Sequence, residues 1–230
     1  MAISVIIPAA GSSRVNKNLP ISMIEIGDIT LLQRQMFVIN RFLKTNYEII
    51  VVSGHQIEKQ EKYPNVKFIE YDSYHTGNVA GSIKIGLDAS KYRNVLIVYG
   101  DLFLDSNVLQ EGMTSSSLVI DNGCFEQQSV GVIVGDQHIE NMHYGLTPKW
   151  CQIAFFNKKE LLELEDILET DKNHERYFLF EIINRIISYG GRFIPYYSRG
   201  TCVDIDSSSS LKKIKRDFNE HSWDLGRHTE

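Results

Sequence analysis

Cysteine is scarce in this sequence, with only Cys124, Cys151 and Cys202 among 230 residues. Three thiols so far apart make neither a disulfide framework nor a short-spaced zinc pair, and they read as buried or incidental thiols in a reducing compartment. Long apolar runs are missing as well. None approaches the roughly 20 residues that a membrane-spanning helix needs. The apolar opening, Ala2 to Ala10, lacks a basic leader and continues straight into a Gly/Ser loop, so it reads as a strand and not as a signal peptide. No membrane partner is expected, and the expected setting is cytoplasmic. Positive charge is in short supply too. A formal net charge of −5 provides no basic stripe to neutralise a nucleic-acid backbone, which excludes nucleic acid as the expected partner. A small anionic ligand stays compatible, because a few local cations suffice to hold one.

What is present suits a folded enzyme-sized domain. Hydrophobic residues at 43% against 23% charged argue against disorder, and the length fits one α/β domain better than two independent ones. Three runs rich in β-branched residues, Ser4 to Ala9, Glu48 to Ser53 and Asn94 to Tyr99, are almost continuously apolar. Such runs are buried on both faces of a parallel sheet. Between them lie helical patterns. Leu32, Met36, Ile39 and Leu43 share one face of a helix opened by Thr30 and Gln33 at capping-box spacing, and Val79, Ile83 and Leu87 mark a second helix. Val66 to Tyr71 adds a strand, so the first hundred residues alternate strand and helix in a Rossmann-like, mostly parallel sheet. From Ser117 to Asn157 the pattern changes to strands with turns at Asp121-Asn122-Gly123 and Gly135-Asp136, which predicts antiparallel additions. Two further helices follow, on Leu161, Leu164 and Leu168 and on Leu179, Ile183 and Ile186. A last strand, Cys202 to Asp206, leads into a helix carrying Leu211, Ile214 and Phe218, with the Ser207 to Ser210 run as its cap.

Three places carry candidate chemistry. The first is Ala10-Gly11-Ser12-Ser13-Arg14 after the first strand. Small residues there let backbone N–H groups approach an anion, and Arg14 adds a planar donor fork. The alternative is a plain turn with a surface arginine. The second is Asp101, after Tyr99 and Gly100 at the carboxyl end of a buried strand, where open α/β sheets bind ligands. It is either a metal-holding carboxylate or a turn residue capping the segment at Asp105-Ser106. The third is Asp204 and Asp206, which strand alternation puts on one face. Paired like charges call for solvent, protonation or a cation, and a divalent metal would relieve them. With Asp101 they could meet the oxygen preference of Mg²⁺ together with phosphate and water. Here the alternative is Asp206 as the cap of the following helix, with Asp204 solvated. His138 and His143 lack the spacing of a zinc pair and read as surface residues.

Taken in order, the Gly11 to Arg14 loop with Lys17-Asn18-Leu19-Pro20 and Ile24-Glu25-Ile26-Gly27, then Gly77-Asn78 through Gly81-Ser82, Tyr99-Gly100-Asp101 and Asp204-Ile205-Asp206, resemble the nucleotidyltransferases that activate sugar and alcohol phosphates, particularly the cytidylyltransferases. The resemblance implies a nucleotidyltransferase (GT-A-like) fold and transfer of a nucleoside monophosphate, CMP from CTP, to a small phosphorylated sugar or alcohol acceptor with release of pyrophosphate. It implies that Ala10, Gly11, Ser12, Ser13 and Arg14 cradle the triphosphate, that Gly81 and Ser82 contact the base, and that Asp101, Asp204 and Asp206 hold Mg²⁺. Residues of about 1–110 would form the nucleotide half and about 111–220 the acceptor half, with 221–230 a loose tail. Two departures stand out. The family loop usually has a second glycine that is missing here, and its Pro-Lys is Pro20-Ile21, which leaves Lys17 as the expected substitute cation beside Arg14 and Asp101 in catalysis. Two other readings share these residues: a nucleotide-binding protein that has lost transfer, and a related glycosyltransferase.

Overall fold

The computed structural model describes residues 1–11, 20–43, 46–54, 65–109, 113–123 and 127–220. Ser12, Ser13, Arg14, Lys17, Cys124 and the tail from 221 therefore lie outside the described residues.

The first half follows the expected alternation. Strand β1 (Ile3–Pro8) leads to a small hairpin of β2 (Glu25–Ile26) and β3 (Ile29–Thr30), then to helix α1 (Leu31–Phe42), β4 (Tyr47–Ser53), β5 (Val66–Glu70), helix α2 (Val79–Asp88) and β6 (Asn94–Val98). The capping box at Thr30 and Gln33 forms in both directions, each backbone N–H being taken by the other's side-chain oxygen. The hairpin was not legible in advance, because two-residue strands leave no periodicity; it turns on Gly27, whose φ of +69° favours glycine. The second half runs through β7 (Leu102–Leu104), β8 (Ser117–Asp121), β9 (Val130–Val134), β10 (Ile139–Tyr144), β11 (Lys149–Asn157), helices α3 (Lys158–Thr170) and α4 (Leu179–Ser188), β12 (Ile194–Tyr197), β13 (Cys202–Asp204) and helix α5 (Ser208–Glu220).

Among the described residues nine strands form one sheet, along the path β10-β9-β11-β6-β1-β4-β5, with β8 paired to β11 and β12. β6, β1, β4 and β5 are mutually parallel, whereas β11 runs antiparallel to β6 and to β8. Alternation along β1 divides the core. Val5 and Ile7 face the cluster that contains Leu32, Met36 and Ile39 of α1. Ile6 faces the opposite cluster, with Ile83 of α2, Leu164 of α3 and Ile183 of α4. Both faces are thus covered, which accounts for the near-continuous apolar character of the central strands. Among the described residues no helix is long and apolar enough to cross a membrane.

The last strand is shorter than the spacing predicts. It ends at Asp204 and pairs antiparallel with β7 in a separate two-stranded ribbon, so Asp206 leaves the strand before α5 begins. α5 lays Ile214 against Ile26, Phe103 and Ile205 in a small third cluster.

Topology sets the position of the site. From β1 the chain moves through α1 to β4 and β5 on one side, then crosses through α2 to β6 on the other. The switch point lies between β1 and β6, and ligands of open α/β sheets bind outside the strand ends there. The two strand ends approach closely: Gly100 N–H donates to Pro8 O at 3.1 Å, and a Cβ on Gly100 would sit 2.9 Å from both Pro8 O and Ala9 Cα. Those are backbone atoms that cannot rotate away. Gly100→Ala is expected to destabilise the protein by about 1–3 kcal/mol through overpacking, measured by chemical denaturation; unaltered stability would mean that the strand ends can separate at no cost.

Candidate functional site

Two joined cavities open at the switch point. The smaller, about 260 Å³, is lined by Ala10, Gly11, Asn78, Ser82 and Asp101 among others. The larger, about 1210 Å³, shares Gly11, Asn78 and Asp101 with it and extends past Asp204 and Asp206 to Lys149, Trp150 and the α4 start. Of the expected groups, Ala10, Gly11, Ser82, Asp101, Asp204 and Asp206 therefore line one joined space. Gly81 is the exception in position: it lies in the first turn of α2 over the buried Tyr71, where an added Cβ would meet the Tyr71 hydroxyl oxygen at 2.5 Å. Its smallness serves packing against that ring, which itself lines the smaller cavity.

Asp101 sits where β6 gives way to β7, and the segment is braced from beneath. The buried Gln35 of α1 donates from one amide nitrogen to Tyr99 O and Leu102 O, each at 2.8 Å. Arg34, also buried, donates to Leu104 O at 2.7 Å and stacks over the Phe103 ring at 4.5 Å. Neither residue was picked out from the sequence. The signal was there: Gln35 falls on the helix stripe of Leu31 and Val38, a polar residue on an apolar face.

Asp204 reaches the same cavity from the other side of the ribbon, opposite Leu102, and Ile205 N–H donates to Asp101 O at 3.0 Å. The alternative readings of these aspartates belong to their neighbours. The turn after β7 is capped by Asp105, whose Oδ1 accepts from Asn107 N–H at 3.1 Å. Helix α5 is capped by Ser207, whose hydroxyl oxygen accepts from Ser210 N–H at 3.2 Å. Asp101 instead keeps its Oδ1 buried with no hydrogen-bond partner among the described residues. Such an oxygen calls for a cation or a proton. Among the described residues no three His, Cys, Asp or Glu side chains are gathered closely enough to hold a metal by themselves. The expected three-carboxylate cage is thus not preformed. The donor set fits Mg²⁺ in the mode that uses one or two carboxylates and completes the octahedron with phosphate and water oxygens.

β11 bulges at the cavity wall. Its register with β8 shifts between Trp150 and Ala154, and Gln152 adopts a φ of 56°, in the left-handed region that costs a side-chain-bearing residue about 1–2 kcal/mol. From there its Nε2 donates to Asp204 Oδ2 at 2.9 Å. The far wall is aromatic. Tyr144 and Phe178 are about half exposed, at 46% and 43%; Tyr144 meets Phe180 edge-on at 5.4 Å and Phe178 stacks on it at 5.9 Å. Lys149 and Trp150 line this end, and the Glu181 carboxylate accepts from Phe178 N–H at 2.8 Å. Cys151 and Cys202 are free, buried thiols. The neighbouring Cys151 thiol and burial hold the Cys202 thiol well above its ordinary range, so it is no nucleophile.

Burial first, and then the charge of Asp204, push the Asp101 carboxyl up to about 7. Unfolded, the same group titrates near 4. Between those values the folded state holds the extra proton, so stability falls as pH rises from about 4 to about 7, and the full cost, a few kcal/mol in order of magnitude, persists above that. Asp101→Asn removes the cost. The thermal midpoint of the metal-free variant is expected to exceed that of the wild type at pH 8, with the gap closing towards pH 4; a gap independent of pH would show that the carboxylate is not held against its neighbours.

By sequence, no family model matches the chain, nor does any curated protein. By structure, the chain is similar to the CTP:phosphocholine cytidylyltransferase from Streptococcus pneumoniae, with a TM-score of 0.76, 17% identity, and 94% of this chain and 99% of that one covered. It is similar to the inositol-1-phosphate CTP transferase from T. maritima at a TM-score of 0.70 and 14% identity, covering 94% of this chain and 96% of that one. UDP-glucose pyrophosphorylase complexed with UDP-glucose matches at a TM-score of 0.73 and 13% identity, with 96% and 99% covered. The chain has the nucleotidyltransferase fold.

Proposed function

We propose that the chain is a nucleotidyltransferase that uses Mg²⁺ to transfer CMP from CTP to a small phosphorylated alcohol or sugar, in the cytoplasm. The observation that carries this reading is the oxygen of Asp101, buried and without a hydrogen-bond partner among the described residues, at the switch-point crevice that Asp204 and Gly11 also line. In this reading Ala10, Gly11, Ser12, Ser13 and Arg14 line the triphosphate, Ser82 and the first turn of α2 border the base, and Lys17 and Arg14 supply positive charge. Asp101 and Asp204, with Asp206 at the rim of the same cavity, would hold Mg²⁺ through one or two carboxylates, and the ion when bound offsets negative charge on the phosphates. An acceptor phosphate oxygen forms the new bond to the α-phosphorus as the bond to the bridging oxygen breaks, and pyrophosphate leaves with that electron pair. No covalent enzyme intermediate is needed, so positioning and charge compensation are the protein's share.

Choice of acceptor follows from the other end of the cavity. Tyr144, Phe178, Phe180 and Trp150, with Asp121 on the same wall, suit an acceptor whose non-phosphate end is apolar or carries a quaternary ammonium. The similarity to a phosphocholine cytidylyltransferase supports the same choice. A second reading, a nucleotide-binding protein without transfer, is favoured by Ile21, which puts an apolar side chain on both cavities where the resemblance led us to expect a lysine.

The test is pyrophosphate release from each nucleoside triphosphate with Mg²⁺ and a panel of phosphorylated alcohols, amino alcohols and sugars. Release with CTP is expected to exceed that with other nucleotides, and Asp101→Asn is expected to lower turnover at least about 10²-fold while the variant still unfolds cooperatively. Nucleotide binding with no release from any pair would decide for the second reading. Tyr144→Ala, which touches the larger cavity alone, is expected to raise the acceptor KM about tenfold, the loss of one cation–π contact, and to leave the CTP KM unchanged.

A further inference from the structure

A side chain in the left-handed region is kept there by something, and glycine would adopt the same backbone without strain. At Gln152 the surroundings hold the strained turn in place from both sides. The buried Trp150 indole donates to Ile153 O at 3.0 Å, Tyr99 N–H donates to Gln152 O, and the Cys202 thiol reaches Cys151 O at 3.4 Å. Two separate segments, at Tyr99 and Cys202, therefore close on a bulge that is also tied within itself by Trp150, and what the bulge presents to the cavity is one amide group. That amide meets Asp204 Oδ2 at 2.9 Å across a sequence separation of 52 residues.

We infer that Gln152 is a positioning residue that fixes the Asp204 carboxylate for a divalent cation. The inference rests on the metal-dependent reading given above. A carboxylate at the end of a three-residue strand can rotate about its χ2 angle, and a ligand that rotates presents either oxygen, or neither, to an ion. The Gln152 amide occupies one oxygen as a neutral donor. It orients the group without adding the negative charge that a third carboxylate would bring or the positive charge that would compete with the ion. The strained φ is what aims the amide: β11 in regular register would turn residue 152 with its strand neighbours and away from this contact.

The experiment measures Mn²⁺ binding, with and without CTP, by the loss of the free-ion paramagnetic resonance signal, alongside thermal unfolding of the metal-free protein. Two variants separate aim from fold. Gln152→Gly relieves the backbone and removes the amide; Gln152→Met keeps length and backbone and removes the hydrogen bond. Mn²⁺ affinity in the presence of CTP is expected to fall about tenfold in both, with the Gln152→Gly midpoint no lower than that of the wild type. Wild-type affinity in Gln152→Met overturns the inference and leaves the proposed function standing. A wild type that binds no Mn²⁺ with or without CTP overturns the proposed function and the inference with it. Should Gln152→Gly fail to fold, Gln152→Met decides alone.

Discussion

Like charges brought together away from water are the constraint to which the rest of this molecule answers. Asp101 and Asp204 face one cavity from two different chain segments, and the first is held so far from solvent that one of its oxygens has no partner among the described residues. Left alone, such a pair would open the ribbon or take up a proton. The fold resists the first outcome mechanically. β13 is zipped to β7, Ile205 is tied to Asp101 through the backbone, and Gln35 and Arg34 of α1 hold the carbonyls at 99, 102 and 104 from below. The second outcome leaves a carboxyl that switches near neutrality. A site strained in this way binds a cation more readily than a relaxed one, because occupancy removes a cost the protein already carries.

The supports also explain a division of labour between the two halves. The side proposed for the nucleotide is built in part from backbone and small residues: the ends of β1 and β6 nearly touch at Gly100, and Ala10 and Gly11 line the smaller cavity beside Tyr71, Tyr74 and Tyr99. Such a surface is defined by topology, so it survives sequence change as long as strand order survives. The side proposed for the acceptor is built from side chains on β10, β11 and the start of α4. Its character can drift without disturbing the sheet, which is consistent with a shared shape at low identity among proteins whose names carry different acceptors.

How much of this was legible in the sequence depends on how local each signal is. The parallel core was readable, because strands buried on both faces are nearly continuous in apolar residues, as β1, β4 and β6 are. The Thr30 cap and the Gly135-Asp136 turn between the antiparallel β9 and β10 were readable because their chemistry is local, contained in a few consecutive residues. Convergence of Asp101 with Asp204 was suggested by strand ends and alternation, but the geometry behind it differs. The strand stops at Asp204, and the two aspartates meet through a two-stranded ribbon of three residue pairs that no periodicity announces. Gln35 and Gln152 were missed for opposite reasons. The first was a polar residue hidden in an apolar stripe. The second depends on a bulge, and a bulge is a register event between strands that a single strand's sequence does not record.

The placement of positive charge carries the synthesis one step further. Ile21 borders both cavities, so among the described residues the cations at the site, Lys149 and Lys213, stand on the larger cavity alone. Their fields fall off across the cavity, and solvent screens what reaches the β1 loop. Beside the smaller cavity, charge compensation for a polyphosphate would rest on the loop's own Arg14 and Lys17, on backbone N–H groups, and on whatever ion the carboxylates hold. The fewer fixed cations a site has, the larger the share that falls to that ion, and the more its orientation matters. A chain with Ile21 in this position thus has physical reason to keep a costly device such as the Gln152 bulge for aiming a single carboxylate. The two features lie far apart in sequence and break the expected pattern separately, yet they answer the same electrostatic demand.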